Sequence, residues 1–218
     1  MKNKIITIIA AHIDDFEIGM GSTVARLCQY NEVNVVILCK GDRPGVEHVQ
    51  NNRRSACEQN CNDIGVTNLR MYLYSDTMLD TVPQTELCSL ISKNINAHKS
   101  QIVFTNHCND IHNDHKVVSR ATRVACRMRE SSSVEELYEF FIPGSTEWSF
   151  EHTNQNTYFN TSDYGNDKLE MVSRYETELR ETPDPISLDM INVRDKYHGS
   201  VSGFNRAEAF NLVFKRCI

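Results

Sequence analysis

Side chains that could bind a metal or move a proton stand directly after the first apolar run of the chain. His12, Asp14 and Asp15 follow the run from Ile5 to Ala10. A dinucleotide-binding protein would carry G-x-G-x-x-G in this turn, because only glycine lets the backbone approach a pyrophosphate closely; that fingerprint is absent. An imidazole beside two carboxylates instead predicts a site for a cation or a proton, since adjacent like charges repel unless one of these offsets them.

A second polar cluster lies in the segment from Asn106 to His115. Its three histidines and two carboxylates are His107, His112, His115, Asp110 and Asp114. Catalytic zinc takes three protein ligands of the His or carboxylate type and keeps one position open for water. A His-Asp-His set drawn from the two clusters satisfies that count, and no thiolate ligand is required.

Each of these residues also has a structural interpretation when it is taken alone. Asp14 or Asp15 could be the N-cap of a following helix, a role that acidic residues fill routinely. His115 could cap a loop. The joint pattern nevertheless favours a site, because both clusters follow predicted strands and would meet if those strands were neighbours.

The elements that would position the clusters follow from an alternation of short β-branched runs with helical patterns. Strands are predicted over 5–10, 33–39, 71–74 and 102–105, and helices over 21–30, 46–63, 84–97 and 115–128. The expected fold is α/β: a Rossmann-like, doubly wound, mostly parallel sheet of order 3-2-1-4-5 with helices on both faces. Strands one and four are neighbours in that order, so the two clusters should share one crevice at the carboxyl ends of the strands.

The remainder of the chain, about 131–218, is predicted to be a less regular extension that closes the pocket over a core of about 1–130. A fifth strand is expected over Leu137 to Phe141, and a last helix over Met190 to Tyr197. An apolar stripe typical of another helix is formed by Leu169, Val172, Tyr175 and Leu179. Because the chain shows no repeat, linker or low-complexity tract, residues 1–218 are predicted to form one domain.

The composition of the chain bears on whether the protein binds nucleic acid, crosses a membrane or carries a secretory signal. The formal net charge is −6, and Lys and Arg are scattered along the sequence rather than stacked on one stripe, which predicts no nucleic-acid binding. No segment approaches the roughly 18 consecutive apolar residues of a membrane helix. The short apolar run near the amino terminus ends in His12 and carboxylates instead of a small-residue cleavage site, so a secretory signal is not expected.

The eight cysteines are dispersed along the chain, and a domain of this size can bury its core without disulfides. We therefore expect free thiols and a reducing, cytoplasmic location. Cys57 and Cys61 lie one helical turn apart and could share a metal, but no second pair accompanies them, and plain helix packing is the simpler interpretation. The sequence is compatible with a homo-oligomer and does not decide the oligomeric state.

The clusters resemble the motifs of the LmbE-like or PIG-L superfamily of zinc-dependent N-acetylglucosaminyl de-N-acetylases. Its members carry H-P-D-D-E-x-x-G-x-G-G after the first strand and H-x-D-H after the fourth. These motifs stand here as His12 to Ser22 and His112 to His115. Further matches, which extend the resemblance over nearly the whole chain, are Arg53, Asp76, Tyr138 to Trp148, and Ala207 to Phe210.

The resemblance implies a zinc ion, or another divalent metal such as Fe²⁺, on His12, Asp15 and His115. It also implies that Asp14 is the general base for a zinc-bound water that attacks the carbonyl of an acetamide. The implied substrate is an N-acetylated amino sugar, either free or linked to a nucleotide, lipid or glycan. The implied products are acetate and a free amine.

Five further residues receive roles from the resemblance. The imidazolium of His112, with its ring oriented by Asp114, would offset the charge of the tetrahedral oxyanion. Arg53 would bind substrate near the metal, and its structural alternative is a solvated helix arginine. His198 is a candidate substrate contact in the carboxy-terminal segment. Trp148, the single tryptophan, is a candidate for stacking on a sugar face, with a core anchor as the alternative.

The chain departs from the family motif at three positions outside the implied ligand set: Ile13 stands for proline, Phe16 for glutamate and Ser22 for the second glycine. A non-catalytic module that binds metal and carbohydrate is therefore an alternative function, and so is an amidase acting on a non-acetyl sugar conjugate. A nucleotide-binding transferase on the same fold is a third alternative, against which the missing glycine fingerprint argues.

Overall fold

The computed structural model describes residues 1–41, 47–129, 132–149 and 155–217, with side chains from residue 52 onward in the second range. Seven strands form one sheet in this part of the chain: β1 (Ile5–Ala10), β2 (Glu32–Cys39), β3 (Asn68–Tyr74), β4 (Ile102–Asn106), β5 (Glu136–Phe140), β6 (Thr157–Asn160) and β7 (Ala207–Lys215). Their order is β3-β2-β1-β4-β5-β7-β6. The first five strands are parallel, and β7 pairs antiparallel with β5 and β6. The predicted order 3-2-1-4-5 is confirmed.

The α-helices of the described residues are α1 (Asp15–Cys28), α2 (Glu47–Ile64), α3 (Gln84–His98), α4 (Asn113–Ala125), α5 (Gly165–Ser173) and α6 (Leu188–Ser202). Helices α1, α2 and α5 cover one face of the sheet through a core that includes Phe16 and Met171. Helices α3 and α4 cover the other face through a core that includes Ile91 and Val118. Strand β1 serves both cores, because Ile8 and Ile9 point to opposite faces. The predicted doubly wound arrangement is therefore confirmed.

The structure differs from the sequence prediction in helix α1 and at one edge of the sheet. Helix α1 begins at Asp15, six residues before the predicted start, and is interrupted at Met20, where φ is −150°. The turn before the interruption packs closely on the end of β5: a Cβ on Gly19 would lie 2.7 Å from the ring of Phe140. Strands β6 and β7 were not predicted, because their partners lie far away in sequence and a local pattern cannot show such pairing.

The interruption of α1 is stabilised by a buried carboxylate from β7. Glu208 accepts hydrogen bonds from the backbone N–H groups of Ser22 at 3.2 Å and Thr23 at 2.6 Å. Lys168 of α5 lies 2.7 Å from Glu208 and 3.0 Å from Asp195 of α6, and all three charged side chains are buried. A buried carboxylate between a cation and two amides has its charge offset without water. This cluster holds α1, α5, α6 and β7 together behind the turn that carries Asp15.

The expectations about membrane helices and about the cysteines can be compared with the structure. No helix in the described ranges has the length and apolar character needed to cross a bilayer. All eight cysteines are free thiols. Cys57 and Cys61 are buried in the core beneath α2, which confirms the interpretation of this pair as helix packing.

Replacement of Glu208 by alanine is expected to lower the free energy of unfolding by about 3 kcal/mol. The substitution leaves Lys168 short of one partner in a buried position and removes the acceptor of two backbone N–H groups. Urea denaturation followed by circular dichroism measures the change. The matched control is Glu58→Ala, which removes a half-exposed carboxylate of α2 and should change the free energy by less than about 0.5 kcal/mol. Equal losses in the two variants would contradict the role assigned to Glu208.

Candidate metal centre and active site

The two polar clusters meet where β1 and β4 end. The strands pair in register from Ile6 with Ile102 to Ile9 with Thr105, so the loops that follow them leave the sheet side by side. Asn106 joins the loops: its side chain accepts from the N–H of Ala11 at 3.0 Å and donates to Asp15 at 2.9 Å. A cavity of about 320 Å³ opens at this edge. Both clusters contribute to its wall, through His12, Asp14, Asp15, His112 and His115.

The three residues expected to bind metal converge in this cavity. Nδ1 of His12 lies 3.2 Å from Nε2 of His115. The carboxylate oxygens of Asp15 lie 3.6 Å from Nδ1 of His12 and 3.3 Å from Nε2 of His115. Ligand atoms at about 2.0–2.2 Å from a tetrahedral zinc ion are about 3.3–3.6 Å apart, so the three side chains have the spacing of a metal site.

The outward nitrogen of each ligand histidine faces a carboxylate. Nε2 of His12 lies 3.0 Å from Asp114, and Nδ1 of His115 lies 3.1 Å from Asp110. These carboxylates assign the ring protons to the outward nitrogens, as the outer-shell partners of metal-binding histidines generally do. The facing nitrogens, Nδ1 of His12 and Nε2 of His115, then both present lone pairs at close range, which requires a cation or a shared proton between them.

The electrostatics of the cluster confirm this demand for positive charge. Burial by itself disfavours the charged imidazoles, but Asp15 and Asp114 outweigh it and raise the pKa of His12 well above its usual value. Burial is likewise outweighed at His115, where Asp15 and Asp110 raise the pKa to about 9. Metal binding displaces such protons, since the ligand form of histidine is neutral. The carboxylates around the rings thus favour either two protons or one divalent cation.

Asp14 lies beside Asp15 and occupies the N-cap position of α1, but its side chain does not cap the helix. Its backbone φ is 96°, a left-handed conformation that residues other than glycine adopt rarely. Its carboxylate makes no cap hydrogen bond to α1. Nη2 of Arg53 donates to the Asp14 carboxylate and to the carbonyl of Ile13, both at 2.9 Å. Burial raises the pKa of Asp14 to about 7, against the opposing charge of Arg53. Asp14 thus stands at the N-cap position while its side chain is directed to Arg53, and Arg53 lies in the cavity wall instead of in solvent.

His112 contacts the ligand histidines through its ring, whose centroid lies 4.6 Å from those of His12 and His115. It is the N-cap of α4, and its Nδ1 accepts from the backbone N–H of Asp114 at 3.3 Å. That bond leaves the proton on Nε2 of the neutral ring. Burial, followed by the charges of His115 and His12, lowers the pKa of His112 to about 4. His12, His112 and His115 together could hold a metal ion. Because Nδ1 of His112 is occupied, His112 is better placed as a hydrogen-bond donor, and Asp15 is the better candidate for the third ligand.

The structure corrects the role expected for Asp114. Its carboxylate does not orient the ring of His112: it faces Nε2 of His12 and accepts from the N–H groups of Thr77 at 2.7 Å and Leu79 at 3.1 Å. The reason is the helical geometry at the start of α4, where Asp114 points toward the loop after β3 while His112 caps the helix. The imidazolium expected for His112 is disfavoured as well, because burial and the charges of His115 and His12 outweigh the carboxylates of Asp15 and Asp114 and lower its pKa.

Asp110 was missed as a functional residue by the sequence analysis. Besides facing His115, it accepts hydrogen bonds from the hydroxyls of Ser145 and Thr146 and from the N–H of His112 at 2.7 Å. It therefore connects a metal ligand to the segment after β5 that forms another wall of the cavity. The only signal in the sequence was its presence in a loop with three histidines, which does not separate it from Asp114.

The two expected contacts from the carboxy-terminal third lie elsewhere. Neither His198 nor Trp148 is among the described residues that line the cavity. Trp148 is 71% exposed, so it is not a core anchor either. His198 is buried on α6, with its ring 6.2 Å from that of Tyr158. The carboxy-terminal residues that do reach the cavity are Ile142, Pro143, Gly144, Ser145, Glu178 and Ile186. Loop geometry, which spacing in sequence does not encode, decides this difference.

The three departures from the expected motif lie outside the cavity wall formed by the described residues. Ile13 and Phe16 are fully buried in the core between the sheet and α1. Ser22 is buried in α1, where its N–H is bound by Glu208. These substitutions therefore change how α1 packs, and they remove no polar group from the cavity.

Comparison of the sequence with protein families and known proteins agrees with this geometry. The sequence model described as PIG-L, GlcNAc-PI de-N-acetylase, matches residues 7–126, a stretch that contains both polar clusters. The chain is also 29% identical over 134 residues to the uncharacterized deacetylase YaiS of Escherichia coli (strain K12). This match covers 58% of the chain and 70% of that protein.

Solved structures with the same fold include different enzymes. N,N'-diacetylchitobiose deacetylase from Pyrococcus horikoshii is similar over 96% of this chain and 84% of its own, with a TM-score of 0.76 and 17% identity. The 4-carboxy-2-hydroxymuconate hydratase from Pseudomonas putida KT2440 is similar over 99% and 98%, with a TM-score of 0.73 and 14% identity. At these identities the likeness shows the fold alone. The fold hosts more than one reaction, so function must be argued from the site.

Removal of either outward carboxylate is expected to weaken metal binding without removing a ligand. Asp114→Asn and Asp110→Asn should each lower the affinity for zinc by about 10- to 100-fold, because the histidine rings lose the acceptors that orient them. Competition with a chromogenic chelator measures the affinity. The control is Asp80→Asn, the same substitution at an exposed position, for which an unchanged affinity is expected. If both cavity variants bind zinc as tightly as the control, the orienting role is refuted.

Proposed function

The chain belongs to the PIG-L family of GlcNAc-PI de-N-acetylases, whose sequence model matches more than half of its 218 residues, and on this premise we propose that it is a metal-dependent deacetylase of an N-acetylated amino sugar or sugar conjugate. One observation carries the proposal. The ring nitrogens His12 Nδ1 and His115 Nε2 face each other at 3.2 Å beside the Asp15 carboxylate, an arrangement that a divalent cation would satisfy.

The donor set fits zinc. Two imidazoles and one carboxylate are the ligands of many catalytic zinc sites, and Fe²⁺ accepts the same donors. His12, Asp15 and His115 would hold the ion. A divalent metal bound there would supply Lewis acidity, which polarises an amide carbonyl and makes water easier to deprotonate.

Asp14 is placed to accept a proton from the attacking water and to pass it to the leaving amine. Its carboxylate lines the cavity next to Asp15, and burial raises its pKa to about 7, close to the value at which a general base works best at neutral pH. In the proposed reaction the water oxygen bonds to the acetamide carbon, and Asp14 takes the proton that this water releases. Asp14 then returns the proton to the amine nitrogen as the C–N bond breaks, which yields acetate and the free amine.

His112 and Arg53 assist in different ways. The Nε2–H of neutral His112 would donate to the carbonyl oxygen, where negative charge develops during attack. Arg53 is a positioning residue in this proposal, because its Nη2 is occupied by Asp14 and the carbonyl of Ile13. Its Nη1 lies 3.8 Å from Glu178, so the guanidinium also fixes the opposite wall of the cavity.

A non-catalytic relative that binds metal and carbohydrate is the main alternative, motivated by Ile13 and Phe16. Both side chains are buried in the core, and the groups proposed to act on the substrate, Asp14 and His112, line the cavity. This placement favours the enzyme over the binding module.

The direct test combines metal analysis with a screen for acetate release. The purified full chain is expected to contain about one divalent metal ion. It should release acetate from at least one N-acetylhexosamine among free, UDP-linked, lipid-linked and oligosaccharide forms. Zinc- or iron-loaded protein that is inert toward all of these classes would defeat the proposal.

Asp14→Asn separates catalysis from binding. The substitution spares the three metal ligands, so metal content should stay unchanged while kcat falls by about 10²- to 10⁴-fold through loss of the base. His112→Ala should lower kcat by about 10²- to 10³-fold, the usual effect of removing one donor to an oxyanion. Metal analysis and acetate release are measured on the same samples, with Asp80→Asn as the unaffected control.

Full activity of Asp14→Asn would show that another group is the base.

A further inference from the structure

A groove lined by cations runs along the outer side of α4. It has a volume of about 440 Å³, and the residues that line it are Cys108, Lys116, Arg120, Arg123, Val124 and Arg127. We call this feature the basic groove. Lys116, Arg120 and Arg123 are spaced four and three residues apart, which puts them on one face of α4, and Arg127 follows two residues after the helix ends. The expectation that Lys and Arg form no stripe is therefore wrong for α4.

Most of the charge in the basic groove is not neutralised by neighbouring side chains. Arg123 is paired with the buried carboxylate of Glu139, through Nε at 2.8 Å and Nη2 at 3.0 Å. Lys116, Arg120 and Arg127 are exposed, and within the described part of the chain no carboxylate lies in salt-bridge distance of them. A local excess of cations on a chain of net charge −6 produces a positive potential that attracts anions.

The basic groove and the cavity have no lining residue in common, but residues of α4 contribute to both. His112 and His115 line the cavity at the start of α4, and Lys116 is the next residue along the helix. At a rise of 1.5 Å per residue, Arg120 lies roughly 12 Å along the helix from His112. Cys108 joins the groove from the loop that also carries His112. This short separation along α4 and the preceding loop is the reason to ask whether one elongated ligand spans both features.

We propose that the basic groove binds the anionic continuation of a glycan whose N-acetylated unit occupies the cavity. The inference rests on the proposed function and specifies its substrate class: a sugar chain that carries carboxylate, sulfate or phosphate groups. A row of cations spread over several helical turns fits repeated anions on a linear chain, whereas a single anion needs converging donors. Arginine supplies the forked donors that carboxylate, sulfate and phosphate groups accept.

Other occupants fit the groove less well. Proteins that bind single-stranded nucleic acid stack the bases on aromatic side chains, and the described lining of the basic groove contains none. A membrane surface calls for a protruding apolar face flanked by cations, whereas Val124 is the one aliphatic side chain among the residues that line this concave feature. A metal on His107, Cys108 and Glu139, whose ligand atoms lie close together, is disfavoured because Arg123 already neutralises Glu139.

The binding test compares two tetrasaccharides on the metal-loaded full chain. Hyaluronan tetrasaccharide alternates glucuronate with N-acetylglucosamine, and chitotetraose carries the same N-acetylated sugar without charge. At low salt the wild type should bind the anionic ligand about tenfold more tightly, and salt should abolish the difference. The groove variant Lys116→Gln/Arg120→Gln/Arg127→Gln should lose this preference. The matched control Lys93→Gln/Lys99→Gln/Lys196→Gln removes three exposed cations elsewhere and should keep it.

Acetate release from the same ligands separates the two proposals. If the groove acts on substrate, the groove variant should show a higher KM for the hyaluronan tetrasaccharide relative to chitotetraose. If both ligands are deacetylated and no preference depends on the groove, the proposed anion-binding role of the groove is overturned and the proposed deacetylase activity stands. Binding that depends on the groove without any acetate release would support the anion site and overturn the proposed function.

Three further outcomes would overturn the glycan assignment. The first is an equal loss of preference in the control variant, which would make the effect one of net charge. The second is tighter binding of an oligo-dT strand than of the hyaluronan tetrasaccharide, which would make the groove a nucleic-acid site. The third is cosedimentation with phosphatidylglycerol vesicles, lost in the groove variant, in the absence of tetrasaccharide binding.

Discussion

The structure of the site depends on one electrostatic constraint: two imidazole nitrogens face each other at 3.2 Å beside a buried carboxylate, an arrangement that requires a proton or a cation. His12 and His115 can hold this arrangement because Asp114 and Asp110 bind the outward side of each ring. Four carboxylates in a small buried volume would repel one another without a cation. A divalent ion would relieve both problems, and the carboxylates that look redundant in the sequence would then form the two layers of the proposed metal site.

The scaffold satisfies this constraint at the point where the strand order reverses. Strands β1 and β4 are neighbours there, and Asn106 hydrogen-bonds to both the turn after β1 and Asp15. The first turn of α1 then has to bend away from the rest of the helix to pack on β5. Glu208 stabilises that bend by binding the two N–H groups that the interruption exposes. A strand near the end of the chain thereby supports a site near its beginning.

The charged side chains of the cavity and those on the surface of α4 differ in sign and in exposure to solvent. Inside the cavity, the carboxylates of Asp14 and Asp15 lie beside the imidazoles and favour a positive charge. Along α4 the sign reverses, and the exposed cations of the basic groove lie beside a chain that is acidic as a whole. Short-range hydrogen bonds and ion pairs determine the arrangement of charges in the cavity because the cavity is buried. The cations of the basic groove are solvated and act through an electrostatic potential that salt weakens.

The sequence by itself determined the strand order and the convergence of His12, Asp15 and His115, because periodic patterns and right-handed crossovers leave few topologies. It could not assign the partner of Asp114, the contribution of Asp110, or the position of Trp148 outside the cavity. These depend on side-chain directions and loop paths that join residues far apart in the chain. Only the tertiary structure decided them, since a local pattern records which face a residue occupies but not what lies opposite that face.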